Sequence, residues 1–164
     1  MALLHILRYP HPGLREKAQA ITVFDESITK LAKDMLETMY EAPGIGLAAT
    51  QVHEAKQLLV IDVSENKDEP IFILNPQLIE KTGEIINEEG CLSFPGIYAN
   101  VPRAEQVTLK YHDLNGEEQI LEADDWLAIC IQHEIDHLEG KVFVDYLSSL
   151  KRNRIRKQLE KKQP

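Results

Sequence analysis

The feature that most constrains this chain is an apolar stretch that runs directly into a group of charged and imidazole side chains. WLAICI (126–131) is hydrophobic on nearly every side of a helix and is followed by QHEIDHLEG (132–140). Acidic residues at 124 and 125 favour a helix start, and Gly140 favours an end near Leu138. A helix that is apolar all round is buried, so we expect this one to pass through the centre of the fold.

The pattern H-E-x-x-H within this helix indicates a metal site. His133 and His137 are four residues apart, which places both imidazoles on one face, where they can share one ion. Glu134 points about 100° round the helix, so it can face a water on the metal without being a ligand. The alternative is a chance pattern on a solvated helix face. The apolar run directly upstream disfavours it, because polar groups on a buried helix need partners.

A catalytic divalent site usually has three protein ligands and one open position. No histidine follows His137, and the three acidic residues beyond it are too close along the helix or on poorly matched segments. Cys130 is three residues before His133, inside the apolar run, where a cysteine usually packs as a small hydrophobe. Cys91, in the irregular segment EEGCLSFPG, is the better candidate. Two imidazoles and a thiolate suit Fe(II), Zn(II), Ni(II) or Co(II), and spacing does not choose among them.

The rest of the chain indicates an α+β domain with antiparallel or mixed strands packed around the central metal-bearing helix. Apolar residues at i, i+3, i+4 spacing after Asp25 predict an N-terminal helix, capped by Asp25 or Ser27. Pro43 and two glycines then give a loop that runs into an extended segment. Strands are predicted at 57–64 and 71–76, with a hairpin of 105–113 and 118–123. A basic C-terminal helix is expected at 148–162, starting at Ser148 or Ser149.

Length and composition bound the class of protein. A chain of 164 residues supports one ordinary core, so we expect a single domain over 1–164. No signal peptide or membrane span is visible, which predicts a soluble, cytoplasmic protein with both cysteines reduced. The net charge of −9 argues against DNA as a partner. The last fourteen residues nevertheless carry +6, which, subtracted from −9, leaves −15 on residues 1–150.

Three separated segments resemble the signatures of a known family. GIGLAATQ (44–51), EGCLS (89–93) and QHEIDH (132–137), in this order and with comparable intervals, are similar to those of peptide deformylase. The resemblance covers essentially the whole chain and is greatest to the bacterial, iron-type enzymes with a long C-terminal helix. Departures are mild: Thr50 stands where proline is also frequent, and Asn87 and Phe94 fall at variable positions.

The resemblance implies a metal-dependent hydrolase. It would remove the formyl group from the N-terminal formyl-methionine of newly synthesised polypeptides and release formate, using a hydroxide on the metal. Cys91, His133 and His137 would hold one divalent ion per chain, with Fe(II) as the expected ion. Glu134 would act as general base and then as general acid. An N-formyl-methionyl peptide is the implied partner, and we expect the enzyme to be a monomer.

The same resemblance implies roles around the reacting group. The Gln51 side-chain amide and the Leu92 backbone N–H would stabilise the oxyanion. The backbone at Ile45 and Gly46 would pair with the substrate as an added strand, which fits glycines that permit close approach. Substrate-binding positions are then Gly44, Ile45, Gly46, Glu89, Gly90, Ile129 and Cys130. Trp126 is a further candidate for the methionine pocket, although core packing is the stronger expectation for it.

Further hypotheses follow from charge. Arg103 and Asp136 could form a buried pair that fixes the site. The basic C-terminal helix could bind ribosomal RNA near the exit tunnel, where the substrate emerges. Alternatively, the helix is solvated and docks on the domain through its apolar residues: Leu147, Leu150, Ile155 and Leu159.

Two other classes of function stay open at this point. A small zinc peptidase would require a third His or Glu ligand. A binding module with a structural metal would require four ligands. The sequence offers a well-placed residue for neither.

Overall fold

A computed structural model describes residues 2–162, which contain three α-helices and seven strands. In chain order they are α1 (Glu26–Glu41), β1 (Gly46–Ala48), β2 (Leu58–Ile61), β3 (Ile71–Thr82), β4 (Ile85–Gly90), β5 (Tyr98–Arg103), β6 (Gln106–His112), β7 (Glu118–Asp124), α2 (Asp125–Leu138) and α3 (Ser149–Lys162). Short 3-10 helices lie at Pro12–Arg15, Ala49–Val52 and Phe143–Tyr146. The α+β prediction is confirmed.

The strands form two separate sheets. One is a five-stranded sheet in the order β1-β2-β3-β6-β7, with every neighbouring pair antiparallel. The other is a two-stranded antiparallel ribbon of β4 and β5, in which Gly90 pairs with Tyr98 and Ile85 with Arg103. The predicted hairpin is β6 and β7. In the five-stranded sheet, β1 lies at one edge.

Strand β2 explains how the helices are arranged. All four of its residues are fully buried. Leu59 and Ile61 pack into the same cluster as Ala128, Ile131 and Ile135 of α2. The alternate residues Leu58 and Val60 pack with Ala32, Met35 and Met39 of α1. Because successive strand side chains point to opposite faces, α1 and α2 cover the two faces of the sheet.

The helix starts follow their capping residues. The Asp25 carboxylate accepts hydrogen bonds from the N–H groups of Ser27 and Ile28, so of the two predicted caps it is Asp25 that begins α1. Helix α2 begins at Asp125 and ends at Leu138, as predicted, and Gly140 follows with φ +78°. The C-terminal helix starts at Ser149.

Two strand predictions were wrong in extent, and the strand expected at 57–64 is the shorter β2 (Leu58–Ile61). The strand expected at 71–76 continues through Pro76 to Thr82. Its register shifts between Leu74 and Gln77, and this irregularity accommodates a proline inside the strand. Asn75, at φ +52°, uses its side-chain amide to bond both the N–H and the carbonyl of Ile21. The ribbon strands β4 and β5 were not predicted.

The expectation that all of WLAICI is buried was also wrong. Ala128 to Ile131 are buried, but Trp126 is 54% exposed. The first turn of α2 reaches a cavity instead of the core, and Trp126 lies at that cavity. Within residues 2–162, no helix combines the length and hydrophobicity that a membrane crossing would need.

Candidate active site

Three potential metal ligands converge between α2 and the end of the ribbon. The donor atoms of Cys91, His133 and His137 all lie within 4.8 Å of one another. Cys91 directly follows β4, and its Sγ is 3.3 Å from Nε2 of His137. The two histidines lie one turn apart on α2, with ring centroids 5.0 Å apart. The structure thus brings together the thiol and the two imidazoles that the sequence singled out.

The electrostatics of this group favour a cation. Burial acts to lower the pKa of His133, but Cys91, Glu134 and Glu89 outweigh it and raise that pKa well above its usual value. Burial and the positive charge on His133 lower the pKa of His137 well below its usual value. A site that draws a proton to one imidazole while keeping the other neutral suits a divalent ion, which would replace that proton. The donor set therefore fits a divalent metal ion.

A buried carboxylate orients His133. Nδ1 of His133 donates a hydrogen bond to Oε1 of Glu89 at 2.9 Å, which leaves Nε2 of His133 free to bind a metal ion. Arg103 donates from Nε and Nη2 to the two oxygens of Glu89, at 2.8 and 2.9 Å, and from Nη1 to Asp136 at 2.7 Å. The predicted pair of Arg103 and Asp136 is confirmed. Glu89 lines the cavity, as expected of a substrate-binding position, but its carboxylate accepts hydrogen bonds from Arg103 and His133. Sequence reasoning missed that role.

Glu134 follows His133 on α2, is buried, and lines the same cavity as His133 and Cys91. Burial raises the pKa of its carboxyl to about 7, against the opposing effect of His133. A divalent cation nearby would lower this pKa, because it favours the charged carboxylate. Within residues 2–162, its Oε1 has no hydrogen-bond partner. Its Oε2 lies against Gly46, where a Cβ would come within 2.6 Å of that oxygen. The glycine at position 46 therefore makes room for the carboxylate.

Gln51 and Leu92 flank Cys91. The Gln51 Nε2 donates to Oγ of Ser93 at 3.1 Å and lies 3.6 Å from Sγ of Cys91, while its Oε1 accepts from Ala48. Within the described residues, the Leu92 N–H has no backbone acceptor. Both donors therefore lie close to the three potential metal ligands. Ser93 is a contact that sequence reasoning missed, although it belongs to the quoted EGCLS segment.

A cavity of about 910 Å³ opens onto this group. Its lining comes from the N-terminal segment, from the end of α1 with the loop and start of β1, from the end of β4 with the residues after it, and from α2. Its lining includes every predicted substrate-binding position: Gly44, Ile45, Gly46, Glu89, Gly90, Ile129 and Cys130. Trp126 and Tyr98 also line it, and both are exposed. The cavity is much larger than a metal site alone requires.

The second cysteine takes no part in the group of donors. Cys130 is buried in the cluster that α2 forms with the five-stranded sheet, and burial raises the pKa of its thiol. Both cysteines are free, as expected. Cys130 therefore packs as a small apolar side chain, as predicted.

The fold and this site together define a metal-dependent hydrolase. A family model described as polypeptide deformylase matches residues 3–153. The chain is 56% identical over 163 residues to a peptide deformylase of Nitrosococcus oceani, covering 99% of this chain and 98% of that protein. Similar solved structures include a peptide deformylase from Legionella pneumophila, with 46% identity, a TM-score of 0.92, and coverage of 99% of this chain and 100% of that one. Another, from Ehrlichia chaffeensis in complex with actinonin, has 39% identity, a TM-score of 0.96 and coverage of 99% of both chains.

The chain belongs to the polypeptide deformylase family. It is a hydrolase that removes the formyl group from the N-terminal formyl-methionine of newly synthesised polypeptides. The resemblance noted in the three signature segments is thereby confirmed. The peptidase and binding-module alternatives are set aside.

Proposed function

We propose that this chain is an iron(II)-dependent peptide deformylase in which Cys91, His133 and His137 hold the ion and Glu134 moves the proton. The observation that carries the proposal is the burial of Glu134 next to His133, one of the three converging donors. When bound, a divalent ion of this kind supplies Lewis-acid chemistry, polarising a carbonyl and making a water more acidic. Fe(II) is the ion we propose, with Zn(II), Ni(II) and Co(II) as alternatives that suit the same donors.

The protein groups divide the remaining work. Glu134 takes the proton from the attacking water and delivers it to the leaving amine, after which formate departs. The Gln51 amide and the Leu92 N–H donate to the oxygen of the former formyl carbonyl as negative charge develops on it. Each such donor contributes about 3 kcal/mol to transition-state stabilisation. Glu89 keeps the His133 ring in one orientation throughout.

The substrate is an N-formyl-methionyl peptide that binds in extended form. β1 is an edge strand and β4 pairs with β5, so that each of β1 and β4 has one unpaired edge among the described strands. Residues of both line the cavity, so an extended peptide can pair with backbone there. Ile129 and Cys130, together with Trp126, supply apolar surface for the methionine side chain. We infer that actinonin, which the Ehrlichia chaffeensis structure contains, enters this cavity as well.

The test of the proposal is formate release from a formyl-methionyl tripeptide by protein loaded anaerobically with Fe(II). A Glu134→Gln variant keeps the size of the side chain but cannot accept the proton, so its rate should fall by about 10²- to 10⁴-fold. Glu139→Gln is the matched control, because Glu139 lies on the same helix end but is exposed and pairs with Lys141. Undiminished release by Glu134→Gln, with one metal bound per chain, would overturn the assignment of the base.

The basic helix α3 is the basis for proposing a second partner besides the substrate. Its exposed cations include Lys151, Arg154, Arg156, Lys157 and Lys161, on a chain that is otherwise acidic. Leu159 is buried against the body and Ile155 is half-buried, whereas Leu150 is 69% exposed. Docking through part of the helix thus leaves its charged side free. We propose that this side binds ribosomal RNA near the exit tunnel.

Co-sedimentation with ribosomes tests that partner. Removal of residues 151–164 should abolish co-sedimentation, and increasing salt should weaken it in the intact chain. Retention after truncation would contradict the proposal.

We further propose that residues 1–164 act as one monomeric, cytoplasmic domain. The single domain is supported by a cavity whose lining extends from Leu3 to Glu134. The cytoplasmic location is supported by the location of ribosomes. Sedimentation velocity of the metal-loaded chain tests the monomer.

A further inference from the structure

Tyr146 contacts the network behind the metal centre, and the mechanism above gives it no role. It ends the short 3-10 helix Phe143–Tyr146 that leads into α3. Its hydroxyl donates to Oδ2 of Asp136 at 2.7 Å. Its ring lies over the Arg103 guanidinium, whose central carbon is 4.9 Å from the ring centroid. One side chain therefore touches both members of the Arg103–Asp136 pair.

These contacts continue without a break to a proposed metal ligand. Oδ2 of Asp136 accepts from both Tyr146 and Arg103, Arg103 holds both oxygens of Glu89, and Glu89 accepts from His133. The Arg103 and Glu89 side chains are almost completely buried. Tyr146 is 46% exposed, so it forms the outer end of this series.

The partners of the two carboxylates show what Tyr146 adds at that end. Glu89 accepts from both Arg103 and His133, whereas Asp136 shares Arg103 with Glu89 and has Tyr146 as its one other side-chain donor among the described residues. A partly buried carboxylate that shares its cation is stabilised by a further donor. The Tyr146 hydroxyl supplies it, and the aromatic face holds the guanidinium by a cation–π contact.

We propose that Tyr146 is a positioning residue for the metal ligand His133. Its hydroxyl fixes Asp136, Asp136 fixes Arg103, and Arg103 holds Glu89 against Nδ1 of His133. The inference rests on the proposed ligand set. It also links the segment that leads into α3 to the metal centre.

The test measures metal retention, which does not depend on deformylation. Protein loaded with Co(II) is mixed with an excess of chelator, and loss of the visible Co(II) absorption gives the release rate. Tyr146→Phe keeps the ring over Arg103 and removes only the hydroxyl. We expect release about 10-fold faster than in the unmodified chain, in line with losses of outer contacts at other metal sites. The Co(II) absorption bands should shift, and KM for a formyl-methionyl peptide should stay unchanged.

Tyr40→Phe is the matched control. The Tyr40 hydroxyl donates to the buried Asp62, so this variant also loses a tyrosine–aspartate hydrogen bond, at the end of α1. A purely structural role for Tyr146 would make both variants less stable without changing Co(II) release in either. Release from Tyr146→Phe at the rate of the unmodified chain would therefore overturn the proposal.

A double-mutant comparison tests whether Tyr146 acts on His133 through Asp136. In an Asp136→Ala chain, which has no side-chain acceptor for the Tyr146 hydroxyl, adding Tyr146→Phe should change Co(II) release by less than about twofold, because the two changes remove one shared interaction. A further 10-fold acceleration in that background would show that Tyr146 acts by another path, and the proposal would fail. Failure of the unmodified chain to bind Co(II) at all would contradict the ligand set itself, which separates the two outcomes.

Discussion

The five-stranded sheet and the two-stranded ribbon of β4 and β5 are held in place by different forces. In the sheet, β2 is buried on both faces by aliphatic side chains. In β4 the one buried residue is Glu89, and in β5 a buried Val101 is accompanied by a buried Arg103. The sheet therefore depends on apolar burial, whereas the ribbon depends on ionic contacts that lead to the proposed metal ligands. The molecule separates a scaffold from a segment whose position is tied to the site.

The two forces respond differently to substitution. Each fully buried aliphatic side chain contributes about 1.5–3 kcal/mol to the free energy of unfolding, and its loss is felt locally. A buried ion pair contributes little net stability, because desolvation offsets attraction, but removal of one partner leaves an uncompensated charge. The ribbon should thus tolerate substitution less well at its charged residues than at its apolar ones.

The largest expected effect is that of Arg103→Ala. The change leaves the buried Glu89 and the partly exposed Asp136 without their cation, and it should lower the free energy of unfolding by about 3–5 kcal/mol. Since Glu89 would no longer be fixed against His133, Co(II) release should also accelerate by about 10-fold or more. Urea unfolding and chelator competition measure the two quantities on the same protein.

Leu109→Ala in β6 is the comparison for the sheet. Leu109 is fully buried, and the truncation should cost about 3 kcal/mol with a residual cavity. The folded molecules should nevertheless release Co(II) at the rate of the unmodified chain, because Leu109 does not belong to the ionic series. Equal acceleration of metal release by both variants would remove the distinction between scaffold and ribbon.

Removal of the metal should affect the ribbon more strongly than the five-stranded sheet. Cys91 follows the ribbon and the two histidines lie on α2, so an ion bound by the proposed ligands would cross-link them. At a free-metal concentration 100 times Kd, binding contributes about 2.7 kcal/mol, which corresponds to about 100-fold in local opening. Amide hydrogen exchange at 85–103 should therefore accelerate strongly after chelation, while exchange at 58–61 should change far less. Uniform acceleration across both would contradict the comparison.

The same division explains how much of the fold the sequence predicts. α1, β2, the β6–β7 hairpin and α2 follow from periodic or continuous apolar residues, which local sequence reveals directly. The ribbon was missed because IINEEG has no apolar alternation beyond its first residues. Glu89 and Arg103 are buried where their side chains bond each other, although they are not paired across the ribbon: Glu89 lies opposite Ala99, and Arg103 opposite Ile85. A partnership of this kind cannot be inferred from the local pattern of either strand.

The candidate site divides similarly. The spacing of His133 and His137 predicts that they share a face, and the structure places them so. Cys91 is the better candidate for the third ligand because of its irregular segment, and the family resemblance then assigns it that role. The contact of Tyr146 with Asp136 gives no sequence signal, because it depends on how the chain turns after α2. The apolar run predicted that Trp126 is buried, but Trp126 lies in the first turn of α2 and is exposed there.

Trp126→Ala tests a smaller effect at the rim of the cavity. Trp126 lines the cavity but is half-exposed, so its truncation should remove substrate contact without opening the core. We expect KM for a formyl-methionyl peptide to rise about fivefold, equivalent to about 1 kcal/mol, with stability changed by less than about 0.5 kcal/mol. Ile120→Ala, at an exposed position on β7, is the control and should leave KM unchanged. An unaltered KM for Trp126→Ala would place the peptide elsewhere in the cavity.

The smallest expected effect concerns the ion pair of Arg15 and Asp145, which joins the N-terminal segment to the segment after α2, on the ribbon side of the molecule. Burial acts to raise the pKa of Asp145, but its hydrogen bonds with Arg15 outweigh this and lower the pKa below its usual value. A lowered pKa in the folded state means that the stabilisation is present above the unfolded value of about 3.9 and is lost as pH falls through the folded value. Asp145→Asn keeps an acceptor for the Val142 N–H and removes the charge, so it should cost about 1 kcal/mol or less at pH 7. Urea unfolding at pH 7 and again below about 4 should show this cost shrinking, whereas the cost of Leu109→Ala should stay the same. A pH-independent cost for Asp145→Asn would mean that packing, and not charge, holds this contact.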